Sequence, residues 1–197
     1  MKNEEMNDIV NFLFEAGMLA RTPRSFASFL GSGDQSVAEH INRVSYIGYV
    51  LATMDKRADI SKVLKMCLFH DIAEARVSDL NYVHQKYTEK KEEEAVKDLT
   101  ETLPFGKDMR ELIEEYERRE SREACLVKDA DNLEFLLSLK EQVDTGNERA
   151  RTWMPPLMKR FITQEAKELA KVIMKTDSDK WWFRDKEDSW WVNRGKK

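Results

Sequence analysis

Apolar residues recur every three or four positions over most of this chain, the spacing of helices buried along one face. Over residues 5–20, Ile9, Phe12, Leu13, Ala16 and the pair Leu19–Ala20 fit one such stripe, with Gly17 as a mild break. Residues 21–33 lose the pattern and hold Pro23, Gly31 and Gly33, so an irregular loop is expected. Ser36 and Glu39 then stand at the spacing of a capping box and open a second helix. Its buried stripe is Val37, Ile41, Val44, Tyr46–Ile47 and Val50–Leu51, and His40 lies beside it. A third helix is expected over residues 60–75, on Val63, Leu64, Cys67 and Leu68. Residues 76–88 read as irregular.

Further helices are expected over 89–103, 107–119, 121–143 and 163–175, with Pro104, Gly106 and Gly146 as separators. Pro155–Pro156 is expected to break the chain before the last of these. No strand, internal repeat or long linker is read. The fold class expected is all-α, a compact multi-helix bundle. Residues 1–176 would form one domain, and 177–197 a tryptophan-rich tail packed on that domain or on a sister subunit. Stacking of a sugar or base on the tail is the other reading of its tryptophans.

Bulk composition narrows the function classes. Seven glycines and four prolines in 197 residues favour helices over a turn-rich β architecture. A net charge of −4 gives no general affinity for nucleic acid polymers. Cys67 and Cys125 are far apart and sit among apolar residues, as buried free thiols do. The polar, acidic start lacks the apolar run of a signal peptide, and no stretch approaches a membrane span, so a cytoplasmic protein is expected.

Chemistry concentrates in a few residues. His70 and Asp71 stand together at the end of an apolar helical stretch, and burying both without a partner is costly. A divalent cation is the simplest group that makes such a pair favourable. His40 lies thirty residues upstream, Glu74 one turn beyond His70, and Asp79 shortly after. Asp129 and Asp131 flank the apolar stripe of the 121–143 helix about equally, and periodicity does not choose between them. Arg24 lies in the first loop, and Lys128 three residues before Asp131.

The order of His40, His70-Asp71 and Asp131, with the stretches around Arg24 and Glu74–Asp79, resembles the HD-domain metal-dependent phosphohydrolases. Within them it is most similar to the 5'-deoxynucleotidases. The resemblance implies His40, His70, Asp71 and Asp131 as ligands of one divalent metal ion, with Mn, Co, Fe, Ni or Zn all suited to two imidazoles and two carboxylates. It takes Asp131 rather than Asp129, because the family ligand follows an alanine. It implies Glu74 in catalytic proton transfer, and Asp79 in positioning water or contacting the sugar. Arg24 would grip the phosphate in bidentate fashion. Phe26 would face the sugar, since Ser25 stands where many family members carry an aromatic residue. Lys128 would be a second phosphate contact.

The expected substrate is a nucleoside 5'-monophosphate, and the expected assembly a homodimer. Hydrolysis of a triphosphate or alarmone is the alternative, with no cluster of basic residues apparent beyond Arg24 and Lys128. A helical regulatory protein with a residual metal site is the alternative from another class.

Overall fold

A computed structural model describes residues 3–194. Every regular element among them is helical, apart from one isolated antiparallel bridge between Pro23 and Ser36. Helix α1 spans Asn3–Ala16 and passes into a 3₁₀ segment, Gly17–Arg21; then come α2 (Ala27–Leu30), α3 (Val37–Asp55) and α4 (Ile60–Phe69). Next are α5 (Glu74–Val77), α6 (Tyr82–Tyr87), α7 (Glu92–Thr100) and α8 (Gly106–Arg118). Helices α9 (Arg122–Asp144), α10 (Glu148–Met158), α11 (Gln164–Ile173) and α12 (Ser189–Asn193) complete the chain. None is long and apolar enough to cross a membrane.

The capping box forms as read. Ser36 Oγ accepts from Glu39 N at 3.2 Å, and Glu39 Oε2 accepts from Ser36 N at 2.7 Å. Such caps contribute about 1 kcal/mol each. Here the cap also fixes where α3 begins, and so where His40 sits in its first turn.

Helix α9 is the axis of the fold and packs against α3, α4, α8, α10 and α11. It buries residues on all sides: Leu126, Ala130, Leu133, Leu136 and Leu139, but also Asp129, Asn132, Glu134 and Ser138. A helix surrounded in this way has no polar face, so its sequence shows no single stripe. At Gly48, α3 packs tightly against α4. A β-carbon there would lie 2.5 Å from Cys67 Sγ and 3.3 Å from a Val63 methyl.

Four readings of the sequence need correction. The third helix does not run unbroken to residue 75. Its α-helical part ends at Phe69, the chain tightens through Ile72 N to Phe69 O and Glu74 N to Asp71 O, and α5 starts afresh. Pro155 and Pro156 do not break the chain but lie inside α10. They are exposed together with Arg151 and Thr152, whose carbonyls lose their amide partners and face water, while Ala150, Met154 and Leu157 bury the opposite face. Cys125 is only partly buried, unlike Cys67. Residues 21–33 and 76–88 are not wholly irregular either, since they hold α2 and α6.

In the tail, Trp182 stacks on Phe183 at 5.0 Å, and Trp191 meets both rings edge-on. Trp181 and Trp190 are largely exposed. Ser178 N donates to Asp144 at 2.8 Å, which ties the start of this segment to the end of α9.

Candidate metal centre and active site

Three helices deliver the candidate ligands to one point. His40 comes from the first turn of α3, His70 from the residue after α4, and Asp131 from the middle of α9. His40, His70 and Asp131 each offer one ligand atom within 4.8 Å of the others. Asp71 Oδ2 lies 3.4 Å from His40 Nε2 and 3.3 Å from His70 Nε2. Asp131 Oδ1 lies 3.4 Å from His40 Nε2.

Both imidazoles are oriented by their other nitrogen. His40 Nδ1 is 2.7 Å from Glu134 Oε2, and His70 Nδ1 is 2.8 Å from the Cys67 carbonyl. A carboxylate and a carbonyl can only accept, so each Nδ1 carries the proton and donates. Each Nε2 lone pair is then free, and both Nε2 atoms are buried with no hydrogen-bond partner. Two orphaned imidazole nitrogens converging on two carboxylates form a donor set that fits a borderline divalent cation.

The electrostatics say the same. Burial works against charge on His40, yet Asp131, Asp71 and Glu134 together raise its pKa well above the ordinary value. The carboxylates around His40 favour positive charge at this point, the charge a divalent cation would bring.

Glu134 is a functional residue that the sequence reading missed. It is fully buried, accepts from His40, and is also bonded by Arg43 at 2.7 Å and Gln35 at 2.7 Å. Burial alone would raise its pKa, but His40, Arg43 and Gln35 reverse this and hold it at about 2. Its only signal in the sequence is its place three residues after Asp131. Glu134→Gln should weaken Mn or Co binding by about tenfold or more, the usual scale for losing a partner that orients a ligand histidine. Calorimetric titration checks this, and unchanged affinity would show that the imidazole needs no anchor.

Asp129 and Asp131 face different neighbours. Two residues on a helix are separated by roughly 200°. Asp131 faces the imidazoles. Asp129, fully buried, accepts from Ile162 N, Thr163 N and Thr163 Oγ1 at 2.7–2.9 Å, and so holds the segment that leads into α11.

Arg24 is delivered by the bridge that pins its loop to the start of α3: Arg24 N donates to Gln35 O at 2.8 Å, and Val37 N to Thr22 O at 2.9 Å. Its Nη1 lies 3.5 Å from Asp71, 3.5 Å from Asp79 and 3.9 Å from Glu74. Burial opposes the guanidinium charge, but Asp79, Asp71, Asp131 and Glu74 outweigh it, so Arg24 stays charged. Asp79 also accepts from Ser25 N at 2.8 Å, tying the two loops together. Ser78, just before it, has φ of 64° and ψ of 162°, a backbone region that non-glycine residues enter at a cost. That turn lets Glu74 and Asp79 share one cavity.

Glu74 is buried at the base of α5, with Lys90 Nζ 3.4 Å away. Burial, reinforced by Asp71 and Asp79, pushes its pKa up to about 8 against the pull of Arg24 and Lys90. Lys128 donates to Asp131 Oδ2 at 2.6 Å, so its immediate partner is a candidate ligand. These groups line a cavity of about 880 Å³, within the size range of small-molecule sites. Lys90, Arg119, Arg149 and Arg160 line it too, basic residues that the sequence scatters and the fold gathers.

A family model described as HD domain matches residues 16–173. The 5'-deoxynucleotidase HDDC2 of Bos taurus is 32% identical over 157 residues, covering 77% of this chain and 76% of that protein. The protein of the same name from Mus musculus is 33% identical over 149 residues, covering 73% and 74%. Among solved structures, a conserved hypothetical protein from Pyrococcus furiosus superposes with a TM-score of 0.71 at 31% identity, covering 85% of this chain and 99% of that one.

Proposed function

The chain belongs to the HD-domain family, and from that premise we propose that it is a metal-dependent phosphomonoesterase acting on nucleoside 5'-monophosphates, 2'-deoxyribonucleotides above all. The observation that carries this reading is the convergence of two unpartnered imidazole nitrogens and two carboxylates beside a half-buried, charged arginine.

His40, His70, Asp71 and Asp131 would hold one divalent ion, which when bound polarises the phosphoryl group and activates a water. Arg24 binds the non-bridging phosphate oxygens with its planar fork, exchanging carboxylate neighbours for a substrate anion. Burial beside Asp71 and Asp79 favours the protonated form of Glu74, which can pass its proton to the departing 5'-oxygen. Asp79 keeps the Arg24 loop closed and faces the sugar side. Phe26 stands two residues beyond Arg24, its ring against Phe135.

The direct test is phosphate release from deoxyribonucleoside monophosphates with and without a chelator. Release that survives complete removal of metal would sink the reading. Arg24→Lys should lower activity at least tenfold, because the charge stays but the bidentate fork is lost. In matched pairs such as dAMP and AMP, kcat/KM should favour the deoxy substrate; equal values would defeat the deoxyribose preference and leave the phosphatase standing. The basic residues around the cavity favour one alternative, a longer phosphate chain, and dATP belongs in the same panel.

The same reading takes the enzyme as cytoplasmic, and as a homodimer with residues 177–197 as a tail packed on the domain or on the sister subunit. Exposed apolar side chains on α1 (Leu13, Phe14) and α3 (Tyr46, Tyr49, Val50) support a dimer. Sedimentation equilibrium decides the assembly, and a monomer at all concentrations would refute it.

A further inference from the structure

One wall of the cavity is aromatic. Phe135 follows Asp131 by one turn of α9, so its ring stands on the same face roughly 6 Å further along. It meets Phe26 at 5.3 Å on one side and Trp153 of α10 at 6.3 Å on the other. All three rings line the cavity that holds Asp71, Asp131 and Arg24. Trp153 is only partly buried, although it belongs to a helix whose Ala150, Met154 and Leu157 are buried in the core.

A second observation is independent of the rings. Asn132 lines the same cavity and is only 5% exposed. Among the described residues its side-chain amide has no hydrogen-bond partner. The amide is not among the fully buried unpaired groups, so it keeps an opening, and the cavity that Asn132 lines is that opening.

We propose that Phe135 and Trp153 form the subsite for the nucleobase, with the Asn132 amide presented to the base edge and Phe26 closing the wall on the sugar side. This rests on the phosphatase reading and deepens it. The wall begins one helical turn from a candidate metal ligand, a separation comparable to that between a 5'-phosphate and its base. Aromatic faces stack on any base, so the wall gives affinity without choosing a sequence letter. A primary amide offers both a donor and an acceptor, and by turning over it can meet a purine or a pyrimidine. The subsite therefore senses that a base is present more than which base it is.

The test pairs binding with turnover on the metal-loaded protein. Calorimetry with 2'-deoxyadenosine should show about tenfold weaker binding to Trp153→Leu and to Asn132→Ala, the scale of one lost stacking or polar contact. Turnover should show a matching rise in KM for dAMP with kcat kept, while kcat/KM for 2-deoxyribose 5-phosphate, which has no base, stays within about twofold. Trp153→Phe should restore most of the affinity, which a merely structural role in α10 would not require. Equal losses on both phosphates, or undiminished 2'-deoxyadenosine binding in Trp153→Leu, would overturn the subsite. Failure of the wild-type protein to hydrolyse either phosphate would instead overturn the phosphatase reading, and calorimetry would still decide the subsite.

Discussion

Asp131→Ala should abolish binding of Mn or Co, whereas Asp129→Ala should keep it and weaken the fold. The two residues have similar surroundings in sequence and opposite ones in space. Asp131 Oδ1 faces His40 Nε2 while its other oxygen is held by Lys128, so its loss removes a ligand and the carboxylate partner of a half-buried lysine. Asp129 touches no candidate ligand side chain. Its oxygens take two backbone amides and the Thr163 hydroxyl, and removing a buried charged acceptor of that kind costs about 3 kcal/mol. Calorimetric metal titration beside denaturant unfolding separates the outcomes. Loss of metal affinity in Asp129→Ala with stability intact would reverse the assignment.

The second large effect concerns turnover. Glu74→Ala should keep the metal and lower kcat by about 100-fold or more, the scale of a missing positioned acid or base. Glu74→Gln is the sharper variant, because it preserves the shape of the side chain and removes the exchangeable proton. The pH dependence has a definite sign. The folded pKa lies above the ordinary carboxyl value, at about 8, so the proton-donating form prevails below that and is lost as pH rises through it. A bound cation pulls this value down, and an alkaline limb should appear in the metal-loaded enzyme and vanish in Glu74→Gln. The same shift has a consequence for the apo fold. Ionising Glu74 is harder in the folded state, so a stability penalty grows as pH rises from the ordinary carboxyl range toward 8. Glu74→Gln should therefore raise the Tm of the metal-free protein at neutral pH. Near-normal turnover in Glu74→Ala would remove this residue from the mechanism.

The amphipathic helices were legible in the sequence because each keeps one wet face. The capping box of α3 locates its start to the residue, and with it His40, although Tyr46 and Val50 of the expected stripe turn out exposed. Where a helix is enclosed, that signal disappears. On α9 the pattern could not separate Asp129 from Asp131, and it gave no hint that Glu134 is a buried anchor, because α9 is buried on every side. Proline chemistry misled in α10 for a related reason: the rule that proline ends a helix holds when the lost hydrogen bonds cannot be replaced, and here the prolines lie on the exposed face of the helix. The basic residues of the cavity come from four separated segments, so spacing alone had no way of assembling them. Asn132 was invisible for the same reason, since only the fold shows that its amide is left without a partner.

The contact between Gly48 and Cys67 involves no charge, no proton and no substrate. It works as a gauge block: the helices it holds together are those that present His40 and bring the chain to His70, and a methyl group at position 48 would force them apart. A survey that scores every substitution by lost phosphatase activity would thus mark residue 48 as sharply as the ligands themselves. Intolerance to change in this protein reports the tolerances of its frame as well as its chemistry, and only ion titration run beside the activity assay tells the two apart.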